Sequence, residues 1–190
     1  MKHLLASLLL VSCGASQSAD VSWGALRNFN PQNTLLAADT LLICGDGRLR
    51  PVANNALWEW NYARGVYHDV YAEWSCQYRY YYDASLYVKF AACSPNVVGY
   101  RSQWNNHHDI TICNAATQSN WQKVMTHEIG HGFGLCDQYA AGNAGQIVFH
   151  ANCGWPRSTT SARSVMGGLY DGSPAQLTPD DIAGIRALSR

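Results

Sequence analysis

The chain has 190 residues, with 13 basic and 13 acidic side chains, so its formal charge is zero. It carries no basic run and no acidic tail, which argues against nucleic acid as a partner. Hydrophobic residues make up 47% of it, and the roughly 170 residues left after a leader can bury a core as one domain.

Met1-Lys2-His3 is a short basic start, and Leu4 to Val11 is an apolar run. That run has signal-peptide length and is too short to span a bilayer as a mature helix. Residues 1–19 therefore read as a signal peptide and 20–190 as a single domain. Leu10-Val11-Ser12-Cys13-Gly14 resembles a bacterial lipobox, in which Cys13 would be acylated and become the mature N-terminus. Ordinary cleavage after Ala15 or Ala19 is the alternative. Either way the chain is expected to be exported, extracellular or held at the cell surface, and to meet a membrane only through an N-terminal lipid.

Setting Cys13 aside leaves Cys44, Cys76, Cys93, Cys113, Cys136 and Cys153. An even six in an exported chain reads as up to three disulfides, with fifteen connectivities open. The preferred pairing joins Cys136 to Cys153, which would brace the loop after the histidine motif described below. A thiolate ligand at Cys136 is the rival.

Asp20 to Asp39 is polar and irregular, an arm or first loop, with turn chemistry at Asn28-Phe29-Asn30-Pro31. Thr40 to Cys44 is a short apolar strand stopped by Gly45-Asp46-Gly47. From Pro51 to about Arg64 the spacing of Val52, Ala56, Leu57 and Trp60 is helical, with Gly65 as the stop. The next fifty or so residues are rich in Tyr, Val, Trp and Thr and read as strands. The candidates are Val70–Cys76, Arg79–Tyr82, Ser85–Ala91, Val97–Gln103 and Asp109–Cys113. His107-His108-Asp109 reads as a solvated loop before the last of these, with a second metal site as the alternative.

Trp121 to Thr126 leads into His127-Glu128-Ile129-Gly130-His131-Gly132-Phe133-Gly134-Leu135-Cys136-Asp137, with Ser119 or Asn120 as N-cap. On a helix, positions four apart share a face, so the imidazoles of His127 and His131 can reach one metal ion. Glu128 follows the first ligand directly, within reach of a water on that metal. Gly134 can adopt positive φ and end the helix, letting the chain return with a third ligand at Asp137. Three protein ligands plus a water is the open coordination of a catalytic zinc.

This stretch resembles the long zinc signature of the metzincin metalloproteases, His-Glu-x-x-His-x-x-Gly-x-x-His. It departs at the last position, where Asp137 replaces His, and there it is similar to the snapalysin group of small bacterial proteases. The resemblance implies an α+β metzincin-like fold. A mixed, twisted sheet and two helices would form the cleft over about 20–134. A smaller irregular subdomain, about 135–190, would carry a Met-turn and a terminal helix. Ser164-Val165-Met166-Gly167-Gly168 resembles that Met-turn, with Met166 as an apolar floor under the metal. Astacin-like members carry a Tyr two residues after this Met; here the position is Gly168, so no such ligand is assigned. Leu177 to Leu188 is similar to the C-terminal helix of matrixins. Thr178 is its cap, Pro179 its first residue, and Ile182, Ile185 and Leu188 its apolar stripe.

The implied activity is zinc-dependent hydrolysis of peptide bonds by a monomer acting on a protein or peptide. Zn²⁺ would sit on His127, His131 and Asp137, with Glu128 as general base. Tyr139 and Tyr170 are read as packing residues, although either could face an oxyanion. Two alternatives carry the same motif. One is a non-catalytic zinc-containing binding lipoprotein on a protease-like fold. The other is an aspzincin-type protease, which the spacing of Asp137 disfavours because in that class the Asp belongs to a separate downstream motif.

Overall fold

The structure is a computed structural model and describes residues 25–26, 28–95, 97–114, 116–137, 153–155 (backbone only), 164–167 and 176–190. The expected leader, the lipobox at Cys13, Tyr139, Tyr170 and Gly168 lie outside those residues.

Among the described residues, ten helices and strands follow in order. They are β1 (Ala25–Leu26), β2 (Thr40–Gly45), α1 (Arg50–Arg64), β3 (Asp69–Glu73), β4 (Ala84–Ala91), β5 (Gly99–Trp104), β6 (His107–Cys113), α2 (Trp121–Gly132), β7 (Cys153–Trp155) and α3 (Pro179–Leu188). Five strands form one mixed sheet in the order β3-β2-β4-β6-β5. β2 runs parallel to both β3 and β4, β4 parallel to β6, and only the edge strand β5 is antiparallel. The short β1 pairs with β7, and Ala25 bridges to Leu135 just after α2.

The alternation of β4 explains how the sheet acquires two different faces. Leu86 and Val88 are fully buried in the core, whereas Tyr87 and Lys89 point the other way. The helices cover the first face. Trp60 of α1 is buried, donates from Nε1 to the Thr126 carbonyl at 2.9 Å and lies 6.1 Å from the Phe133 ring. That contact sets α1 beside α2. α1 ends as its sequence predicts, on Gly65 at φ 74°.

Three expectations are corrected. Arg79–Tyr81 is a 3-10 turn instead of a strand. Its aromatic side chains serve tertiary contacts: Tyr80 sits edge-on to Trp104 and His107, and Arg79 pairs with Asp109 at 3.2 Å. His107-His108-Asp109 is not a loop but the start of β6, with neighbours on opposite faces. Asn120 does occupy the N-cap position of α2, but its side chain makes no capping bond, because a 3-10 turn (Gln118–Asn120) runs straight into the helix.

Two disulfides join Cys44 to Cys76 and Cys93 to Cys113. Cys136 is disulfide-bonded as well, so it offers no thiolate to a metal. The side chain of its expected partner Cys153 lies outside the described residues.

Candidate metal centre

α2 buries the motif it carries: His127 is 2% exposed and Glu128 5%. Its two glycines allow close approach. A methyl at Gly130 would run into Met166 Sδ and the Trp60 ring, and one at Gly132 would meet Leu35. Met166, itself buried, therefore packs directly on the turn of helix between the two histidines. Gly134, at φ 97°, reverses the chain after α2, as its place in the motif predicts.

The reversal brings Asp137 back beneath the histidines. Asp137 Oδ1 lies 3.1 Å from His127 Nε2 and 3.1 Å from His131 Nε2. The three atoms fall within 4.8 Å of one another, and no other trio of His, Cys, Asp or Glu among the described residues gathers in this way. The imidazoles stand edge to face, centroids 4.8 Å apart. His107, His108 and Asp109 do not converge; Arg101 donates to His108 Nδ1 at 2.8 Å, and Asp109 pairs with Arg79.

The histidines are held from behind. His127 Nδ1 is 3.0 Å from the Val165 carbonyl, and His131 Nδ1 is 2.7 Å from the Leu135 carbonyl. A carbonyl only accepts, so both rings carry their proton on Nδ1 and turn Nε2 toward Asp137. In neutral imidazoles the three converging atoms then present lone pairs to one another, an arrangement that needs a positive charge between them. The electrostatics agree. Burial opposes charging His127, but the bond to Asp137 and the charges of Glu128 and Asp137 raise it to about 9. Burial acts to raise Asp137, yet His131 and His127 hold it far below the usual carboxylate range.

That charge can be a proton on an imidazole or a metal ion. A tetrahedral zinc with bonds of about 2.0–2.1 Å separates its ligand atoms by roughly 3.3 Å, close to the 3.1 Å from Asp137 Oδ1 to each imidazole nitrogen, with the whole trio inside 4.8 Å. Two imidazole nitrogens and one carboxylate oxygen are a donor set suited to zinc. The residues present fit the ion.

Glu128 stays outside the trio. Its Oε1 lies near Gly99 at the start of β5, where a methyl would run into Val124 Cγ1, so the missing side chain lets α2 approach the edge strand closely. Two residues along the same face of β5, Arg101 donates to Gln103 Oε1 at 2.6 Å and to His108. Burial lowers the Arg101 pKa, while the nearby charges of Glu128 and Asp137 oppose that shift.

Sequence reasoning missed four contributors: Arg101, the carbonyls of Val165 and Leu135, and Asp181, whose carboxylate holds the 164–167 turn. Backbone acceptors leave no mark in a sequence. Asp181 did leave one, as the third residue after Thr178 in a capping box.

No protein-family model matches the chain, and no curated protein matches it in sequence. Among solved structures it is similar to high choriolytic enzyme 1, a hatching enzyme zinc-protease from Oryzias latipes (medaka fish). The TM-score is 0.42 at 10% identity, covering 79% of this chain and 88% of that one.

Proposed function

We propose that this chain is an exported zinc-dependent endopeptidase of metzincin type. The observation that carries the reading is the convergence of His127 Nε2, His131 Nε2 and Asp137 Oδ1 on one point, with both Nδ1 atoms tied to carbonyls and Glu128 beside them. A structural zinc would use four protein ligands; three leave a position for a reactant.

His127, His131 and Asp137 would hold the ion. When bound, zinc acts as a Lewis acid that polarises a carbonyl and acidifies water. Glu128 is the chain's proton carrier: its carboxylate takes a proton from the attacking water and delivers it to the leaving amine. Burial around Glu128 keeps bulk water from competing for that proton. The outer edge of β5, terminal in the sheet and adjacent to Glu128 through Gly99, offers backbone groups to an extended peptide. Met166, packed under Gly130, serves as the floor of the site. The disulfides support export, since such bonds persist in oxidising compartments.

The test is hydrolysis of denatured casein by the oxidised chain. Cleavage should stop with a chelator and return with added zinc. Cleavage indifferent to the chelator would overturn the reading.

A further inference from the structure

The sheet face turned away from the helices carries a second constructed surface. The chain between β3 and β4 crosses it and is pinned by the Cys44–Cys76 disulfide, by the Arg79–Asp109 ion pair and by the packing of Tyr80 on Trp104 and His107. Between this crossing and the ends of β2 and β4 lies an open groove of about 800 Å³. On that face it is lined by Trp74, Tyr80, Tyr87 and Lys89, and at the strand ends it reaches Asp46 and Arg48.

Rings and cations are arranged in pairs. Arg48 lies 4.5 Å from the Phe90 ring centre, Lys89 5.2 Å from Tyr87, Arg79 5.0 Å from Tyr80, and the neighbouring Arg50 4.1 Å from Trp74. These contacts fix flexible cations over flat surfaces. Arg48 and Arg79 have acidic partners in Asp46 and Asp109. Lys89 and Arg50 have no carboxylate within ion-pair distance among the described residues. The groove is thus locally positive in a chain of zero formal charge. Two of its rings are left wet, Trp74 at 76% exposed and Tyr80 at 57%. Trp74 is nonetheless seated, because Gly47 has no side chain where the indole edge rests.

Flat, exposed rings suit the C–H faces of pyranose sugars, and a few fixed cations suit a polymer with about one carboxylate per sugar. A nucleic-acid strand would ask for a denser set of cations along its phosphates. We propose that this groove binds an acidic polysaccharide chain, with sugar faces on Trp74 and Tyr80 and carboxylates against Lys89 and Arg50. The site lies at the ends of β2 and β4, shares no residue with the metal centre and does not depend on the peptidase reading.

The experiment is isothermal titration of the oxidised chain with polygalacturonate, with neutral dextran and a single-stranded oligonucleotide as comparators. Polygalacturonate should bind, more weakly as salt is added, and dextran should not. Trp74→Ala and Lys89→Glu should each weaken binding by about tenfold or more. Trp74 is exposed, so its loss removes no core packing, and an unchanged circular dichroism spectrum controls for folding. Four results would each overturn the proposal: no binding, equal binding of dextran, tighter binding of the oligonucleotide, or variants that bind as the parent does.

Discussion

Ser164 Oγ donates to Asp181 Oδ1 at 2.5 Å, tying the turn that carries Met166 to the first turn of α3. The other oxygen of Asp181 accepts from the Val165 amide at 3.0 Å and from the Thr178 amide and hydroxyl at 2.9 and 2.7 Å. The Val165 carbonyl in turn accepts from His127 Nδ1. One buried carboxylate therefore both caps a helix and, through the Val165 carbonyl, orients the imidazole proposed to bind metal on another.

From this chain of contacts, Asp181→Ala should weaken zinc binding by about tenfold, the lower end of the cost of losing a ligand's direct partner, because it acts through the Val165 carbonyl. Asp181→Asn, which keeps one acceptor, should fall between. Competition against a chelator of known affinity measures it. Unchanged affinity would mean that the 164–167 turn holds itself.

The metal-free and zinc-loaded proteins should respond to pH with opposite signs. Without metal, His127 is raised from 6.5 to about 9. The resulting stability is complete below about 6.5 and is lost as pH rises through about 9. With zinc, the ligand nitrogens must be free of protons, so stability is lost toward acid instead. The melting temperatures of the two forms should converge toward acid, where protons displace the metal, and separate as pH rises toward about 9. Parallel curves would contradict the assignment of His127.

Gly130→Ala should destabilise the fold by about 1–3 kcal/mol, the range for forcing an extra methyl into a packed core. Here the methyl meets Met166 Sδ and Trp60. Urea denaturation reads the change. A neutral result would show that the floor of the site can shift.

Asp137→His should retain zinc and move the acidic limb of the pH–rate profile to lower pH, because a neutral ligand leaves the site more positive. Asp137→Ala should lose most of the zinc. An unmoved profile in the histidine variant would count against Asp137 as a ligand.

The convergence of His127, His131 and Asp137 was more legible in the sequence than its surroundings, for physical reasons. His127, Glu128, His131 and Gly134 lie on one helix and its exit, where spacing alone decides which side chains meet. α1 and α3 were legible through a 3.6-residue periodicity and their terminal residues, Gly65 and Thr178. The strands were found to within a few residues, but not their order, because parallel pairing of β2, β4 and β6 is a long-range choice that no local pattern encodes. Arg79–Tyr81 misled because Tyr favours strands through packing, and there the rings found partners from a turn. Likewise the sequence shows Asp181 only as an acid in the first turn of a helix, since its second role depends on a turn well before it in the chain.

The central claim is that Glu128 performs proton transfer at a metal held by other residues. The most direct measurement is zinc content and casein hydrolysis of Glu128→Gln beside the parent chain. Both proteins should hold one zinc, and hydrolysis should fall by about 10²-fold or more in the variant. A variant that keeps its zinc and cleaves like the parent would contradict the account.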